Sequence, residues 1–287
     1  MSSKYNEITK SLGPIAARLV MTLYEKNRPI FYRREAQEIL GNDHAVSRIL
    51  DRLVERGIIS RLKPGIFRLV PFELGFEKEH LGNPFAVARE LATKSLTKSI
   101  NKLKPDYYIS HGSAFELHQM VTQPQFITYV TSSRLIRTRT IQGTEFRFVR
   151  CKPRDLFGIT EIWVDKNEKA QISDLERTLL DGLKQPKYCG GLTEVAKGFS
   201  IKKSSINSQR LVDYAIKLNV GAVTRRLGLI METYNIGTES DLEKLQKQIT
   251  STYHLLDPDL PPSGHFFSKW RVRLNLTLEE LLALRGT

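Results

Sequence analysis

Apolar residues recur at helical spacing from Pro14 to Tyr24, where Ile15, Leu19, Val20, Leu23 and Tyr24 line up and Pro14 suits a first turn. A shorter helix is expected from Arg33 to Leu40, stopped by Gly41. Asp43 can cap a third, whose apolar positions are Val46, Ile49, Leu50, Leu53 and Val54 and which Gly57 closes. Two short β-prone runs follow at 58–62 and 66–70, separated by the turn signal Lys63-Pro64-Gly65. Three helices and then a basic hairpin is the order of a winged helix-turn-helix, expected within residues 1–75.

The stretch 71–83, with Pro, Gly and charge, is the expected boundary to a second domain at 84–287. There the pattern predicts a helix at 84–104, a strand at 106–110, a helix at 113–120 and a strand at 125–131. Hairpins are expected at 137–151 around Gln142-Gly143 and at 161–172 around Asp165-Lys166-Asn167. Beyond residue 172 the chain reads as mainly helical, at 173–183, 205–218, 220–234 and 240–253, with a late strand near 270–276 and a terminal helix. The expected fold class is α+β: a small helical DNA-binding module followed by a larger mixed domain.

Charge sharpens the picture. The chain carries 44 Lys and Arg against 31 Asp and Glu, a net +13 that attracts polyanions. Residues 1–70 hold thirteen cations against seven acids, so the excess concentrates on the first module. If the apolar face of the third helix is buried, His44, Ser47, Arg48 and Arg52 point outward, and helix diameter matches the major groove. Arg48 is the first choice for a base contact, since a guanidinium can pair with both acceptors of guanine; Arg52 suits a phosphate. Arg61, Lys63 and Arg68 on the hairpin are expected to make phosphate or minor-groove contacts, and Arg33 and Arg34 sit near the start of the second helix, where a helix terminus favours an anion. Any one of these taken alone reads more readily as a solvated surface charge, and only their grouping on one face favours DNA; Asp51 and Glu55 would repel phosphate if they faced it.

Several phrases of the second domain point further: Tyr108-Ile-Ser-His-Gly-Ser-Ala-Phe-Glu-Leu-His118, Ile172-Ser-Asp-Leu-Glu-Arg-Thr-Leu-Leu-Asp181, Pro186-Lys-Tyr-Cys-Gly-Gly191, Arg226-Leu-Gly-Leu-Ile-Met-Glu232, and Leu256-Asp-Pro258 with Trp270 and Asn275. In combination the chain resembles the AbiEi-type antitoxins of type IV toxin-antitoxin (abortive infection) systems, over nearly its whole length. The resemblance implies a winged-helix repressor of its own operon, binding inverted repeats in double-stranded DNA. It also implies a second domain that counteracts a nucleotidyltransferase toxin without a stable complex. Two copies would read inverted repeats, so a homodimer on DNA is the expected assembly.

The same phrases permit a structural account. Ser173-Asp-Leu-Glu176 has the form of a capping box, and Arg177 and Asp181 can pair along one helix face. Arg177, Arg225 and Arg226 are candidates for a functional surface of the second domain, while Arg226 is equally suited to an internal carboxylate such as Asp174 or Asp181.

Two other classes stay open. A metal-dependent nuclease would need an acid cluster on a hairpin, for which Asp155, Glu161 and Lys169 come nearest without the Glu-x-Lys spacing. His111 and His118 lie seven apart with no third ligand beside them, and Gly112-Ser113 does not form a nucleophile elbow. A pure protein-interaction module is the other alternative. No catalytic residue, metal or cofactor is expected, and Cys151 and Cys189 read as free thiols. The absence of a long apolar run and of a secretory signal makes a cytoplasmic protein the expectation, with no membrane partner.

Overall fold

The computed structural model describes residues 12–41, 43–70, 81–93, 106–121, 126–165 and 168–284, without the side chains of Asp43 and His44. The fold is mixed α+β, in two compact units. The first takes in residues 1–94 with the hairpin tips 140–144 and 163–168; the second takes in 95–139, 145–162 and 169–287.

In the first unit, α1 (Pro14–Glu25) buries Ala16, Ala17, Leu19, Val20 and Leu23, an i, i+3, i+4, i+7 stripe. Ile15, expected on that stripe, is 57% exposed. After β1 (Ile30–Tyr32), α2 (Arg33–Leu40) begins where the Glu35 carboxylate takes the Tyr32 amide and ends at Gly41, whose φ of 71° a side chain would resist. Helix α3 (Asp43–Glu55) buries Val46, Leu50 and Leu53, each contributing about 1.5–3 kcal/mol by leaving water. These side chains share one core with Phe31, Phe67 and Leu69.

The hairpin β2 (Ile59–Lys63) and β3 (Ile66–Leu69) is joined by β1 into an antiparallel sheet of order β1-β3-β2. Strand β1 is too short for alternation to register in the sequence, yet it makes β3 the central strand. Helix α4 (Pro84–Ala92), capped by Asn83, covers the sheet on the side away from α1 to α3. The sequence places it in the second domain and extends it to Lys104; the structure ends it at Ala92 and groups it with the first unit, and 94–105 lie outside the described residues.

The second unit is built on a six-stranded mixed sheet of order β6-β7-β5-β4-β9-β8: β4 (Tyr107–Ile109), β5 (Ile127–Ser132), β6 (Arg139–Ile141), β7 (Thr144–Arg150), β8 (Ile159–Asp165) and β9 (Glu168–Ser173). β4 runs parallel to β9 and antiparallel to β5, and β5 parallel to β7. Helix α5 (His111–Leu117) leaves β4 directly.

A helical layer follows: α6 (Leu175–Lys184), α7 (Leu192–Ile201), α8 (Ser208–Leu218), α9 (Gly221–Tyr234) and α10 (Glu239–Gln246). Helix α7, absent from the pattern reading, buries Leu192, Val195, Ala196 and Phe199 and starts after Gly190-Gly191, both at positive φ. α10 stops seven residues earlier than expected: the amides of Gln248 and Ile249 bond three residues back instead of four, and the carbonyls of Thr250 and Thr252 beyond are taken by Arg225. A small sheet of order β10-β12-β11, from β10 (His254–Leu255), β11 (His265–Phe267) and β12 (Val272–Leu274), precedes α11 (Leu278–Ala283).

Candidate nucleic-acid interface

Helix α3 alternates a buried stripe with an outward one. Arg48 and Arg52 are exposed on the outward side and have no partner among the described residues, while Ser47 is half-buried beside them. Arg52 also borders a cleft of about 200 Å³ between α3 and the start of α1, floored by Ile15, Ile49 and Leu53. The side chain of His44 lies outside the described residues. On α2, Arg33 is exposed, and Arg34 is exposed but pairs with Glu38 one turn on, at 3.0 Å.

The hairpin cations behave differently from the sequence expectation. Arg61 is exposed and bridges to Asp51 of α3 at 2.5 Å, its guanidinium 5.4 Å from the Phe67 ring. That pairing neutralises one of the two acids that would oppose phosphate. Lys63 turns inward, its ammonium donating to the carbonyls of Glu90 and Thr93 at the end of α4. Arg68, on the central strand and 4% exposed, is a correction: it cannot reach a ligand. Its guanidinium lies where a side chain at Gly82 would stand. Burial pulls its affinity for the proton down, and Glu168 and Asp165 oppose that pull. The cause for both residues is the cover of α4, to which Tyr32 also hydrogen-bonds through Glu90.

All three candidates of the second unit are internal, which corrects the reading of a functional surface there. Arg177 is 1% exposed; its Nε donates to Asp181 Oδ1 at 3.1 Å and its Nη2 to the Tyr108 hydroxyl at 2.9 Å, while Tyr108 donates to Asp181 Oδ2 at 2.9 Å. Burial alone would lower the Arg177 pKa, but the Asp181 charge and Tyr108 hold it above the ordinary value. Arg225 donates to the carbonyls of Gly221, Thr250 and Thr252. Arg226 finds the carbonyls of Leu183 and Leu255, not the carboxylate of Asp174 or Asp181. Arg225 and Arg226 thus satisfy carbonyls that no backbone amide takes, at helix ends, at β10 and in the irregular stretch that holds Thr250 and Thr252.

The capping expectation also shifts by one residue. Asp174, not Ser173, caps α6, accepting from the Arg177 amide at 2.8 Å; Ser173 bonds Thr178, and Glu176 accepts from the Asn207 amide. The remaining quoted phrases meet each other: Trp270 packs on Gly228 and donates to Glu232, and the Asn275 side chain holds the backbone of Asp257 on both sides.

Of the nuclease candidates, Glu161 pairs with Lys169 at 3.4 Å and Asp155 lies 3.8 Å from Arg154. Among the described residues no group of three His, Cys, Asp or Glu side chains stands close enough to hold a metal. His118 donates its Nε2 proton to the Ser173 carbonyl at 2.8 Å. Among the described residues no helix is long and apolar enough to cross a membrane.

His111, 1% exposed, is the first residue of α5, at a φ of 49°, edge-on to Tyr188 and bonded to Ser110. Burial lowers its pKa below the usual 6.5, against the pull of Asp181. Below that value the unfolded chain takes up a proton that the folded chain resists, so stability falls as pH drops through it. Urea midpoints are therefore expected to fall between about pH 7.5 and 5.5 more steeply for the wild type than for His111→Asn, which tolerates the same backbone. Parallel slopes would remove His111 from the acid response.

No protein-family model matches the chain, and no curated protein matches it by sequence. Among solved structures it is similar to the RV2827C protein from Mycobacterium tuberculosis, with a TM-score of 0.69 over 96% of both chains at 11% identity. That is a likeness of fold.

Proposed function

We propose that the first unit is a winged helix-turn-helix, with α3 as the helix that enters the major groove of double-stranded DNA, and that the chain is a transcriptional regulator. One observation carries the reading: Arg48 and Arg52, exposed and without partners among the described residues, stand one turn apart on the outer side of a helix whose inner side is fully packed. An unpaired arginine leaves its donor fork free for guanine edges or phosphate. The bridge from Arg61 to Asp51 supports the same reading by cancelling an acid on that surface.

The reading is narrower than the sequence suggested. Arg33, Ser47, Arg48 and Arg52 remain available; Arg34 and Arg61 are exposed but paired with Glu38 and Asp51, and Lys63 and Arg68 serve the scaffold. The wing therefore contributes mainly by offsetting Asp51 through Arg61.

The motifs shared with AbiEi-type antitoxins extend the proposal to an autoregulating antitoxin, opposed to a nucleotidyltransferase toxin and acting as a homodimer on inverted repeats. A gel-shift series with the chain's own upstream region tests the first part. Arg48→Ala is expected to weaken binding by about 1–3 kcal/mol and relax sequence preference, and Arg52→Ala to weaken it evenly and reduce the salt slope by about 1. An unchanged footprint and salt slope in both variants would refute the placement of α3 in the groove. Co-expression with the neighbouring reading frame tests the second part: rescue of growth by the full chain supports it, and continued toxicity refutes it.

A further inference from the structure

We infer that the outer face of the small sheet β10-β12-β11 is a stacking site for single-stranded nucleic acid. Phe266 lies directly opposite Arg273 in the antiparallel pair β11-β12. Val272 is buried, and Phe267 and Leu274 pack against the core, so alternation along both strands turns Phe266 and Arg273 outward. Phe266 is 62% exposed. Its ring meets Tyr253 edge to face, with centroids 4.9 Å apart and planes at 79°, an arrangement that leaves ring surface open.

Each ring has its own guanidinium. Arg273 stands 5.3 Å from the Phe266 centroid; Arg271 stands 5.3 Å from that of Tyr253 and donates to its hydroxyl at 3.1 Å. The result is a row Arg271, Tyr253, Phe266, Arg273, with exposed His265 beside it. From residue 260 to 278 the chain carries Lys269, Arg271 and Arg273 and no Asp or Glu; Lys269 is bridged to Glu232, which leaves Arg271 and Arg273 as the cations of the row. Charge of one sign selects a polyanion, and an open aromatic ring selects one with flat unpaired groups. Bases of a duplex are already stacked on each other, so a strand with free bases fits the row and a duplex does not.

The site belongs to the second unit and is independent of the groove-binding reading of α3. Fluorescence anisotropy of the full chain with labelled oligo(U) and oligo(dT) at low salt tests it, with Arg48→Ala as a parallel background. Binding of either strand is expected, undiminished by Arg48→Ala. Phe266→Ala should weaken it about tenfold, Phe266→Trp should retain it, and Arg273→Ala should lower the salt slope by about 0.7. Because Phe266 is exposed, the variants are expected to keep the wild-type circular dichroism and melting curve.

Three results would overturn the proposal: no binding of either strand, equal binding by wild type and Phe266→Ala, or an abasic strand binding as tightly as oligo(dT). A fourth would as well, namely a change in sedimentation on Phe266→Ala, which would make the row a contact between copies of the chain.

Discussion

Asp181→Asn is expected to lower the stability of the second unit by about 3–5 kcal/mol, because it leaves the Arg177 guanidinium buried without its counter-charge. The two side chains are 1% and 4% exposed, so water cannot take the place of the lost carboxylate. The asparagine is nearly the same size, which separates the electrostatic loss from a cavity. Tyr108 keeps one bond to Arg177 but loses the ionised acceptor that fixes its own hydroxyl. Replacing the pair together, as Arg177→Met with Asp181→Leu, should recover a large part of the loss, since packed apolar side chains often match a buried ion pair. Urea unfolding followed by circular dichroism measures each variant. A loss below about 1 kcal/mol for Asp181→Asn, the range of an exposed pair, would show that the pair is not sealed from solvent.

Gly228→Ala is the second large effect. A methyl at Gly228 would stand 2.1, 2.2 and 2.5 Å from three ring carbons of Trp270, where contact between carbons needs about 3.5–4.0 Å. The indole cannot move aside easily: it is fully buried and its Nε1 is held by Glu232. In an open helix the same change would stabilise by about 0.8–1.0 kcal/mol. Here overpacking wins, with an expected net loss of about 3 kcal/mol. Loss of the near-ultraviolet dichroism of Trp270 should accompany it, and Trp270→Leu should relieve most of the clash. A variant as stable as the wild type with an unchanged spectrum would refute the close approach.

Local pattern revealed more of the first unit than of the second. The stripes of α2 and α3, the turn at Lys63-Pro64-Gly65 and the closing glycines are signals within a few residues of each other, and helices form where they predict. Strand β1 carries no such signal, since three residues cannot show a period, and it exists because β3 supplies a partner. The roles of Lys63 and Arg68 followed from that omission: with β1 in place and α4 across the sheet, the second face of the hairpin is interior. Arg177, Arg225 and Arg226 misled for a related reason. An arginine in a sequence reads as surface charge because burying one is costly, and only the three-dimensional supply of carboxylates and free carbonyls reveals where that cost is met.

By itself the sequence determined the α+β class, the order of the N-terminal helices and hairpin, and the outward stripe with Arg48 and Arg52, because each depends on spacing along one element. Tertiary structure alone decided which cations stay free. It turned Lys63 and Arg68 inward, paired Arg61 with Asp51, and assembled Arg271, Tyr253, Phe266 and Arg273 from the strands of the small sheet and the residues that lead into them. A charge is available to a ligand only if no neighbour from elsewhere in the chain has claimed it, and neighbours across such distances are set by packing, not by periodicity.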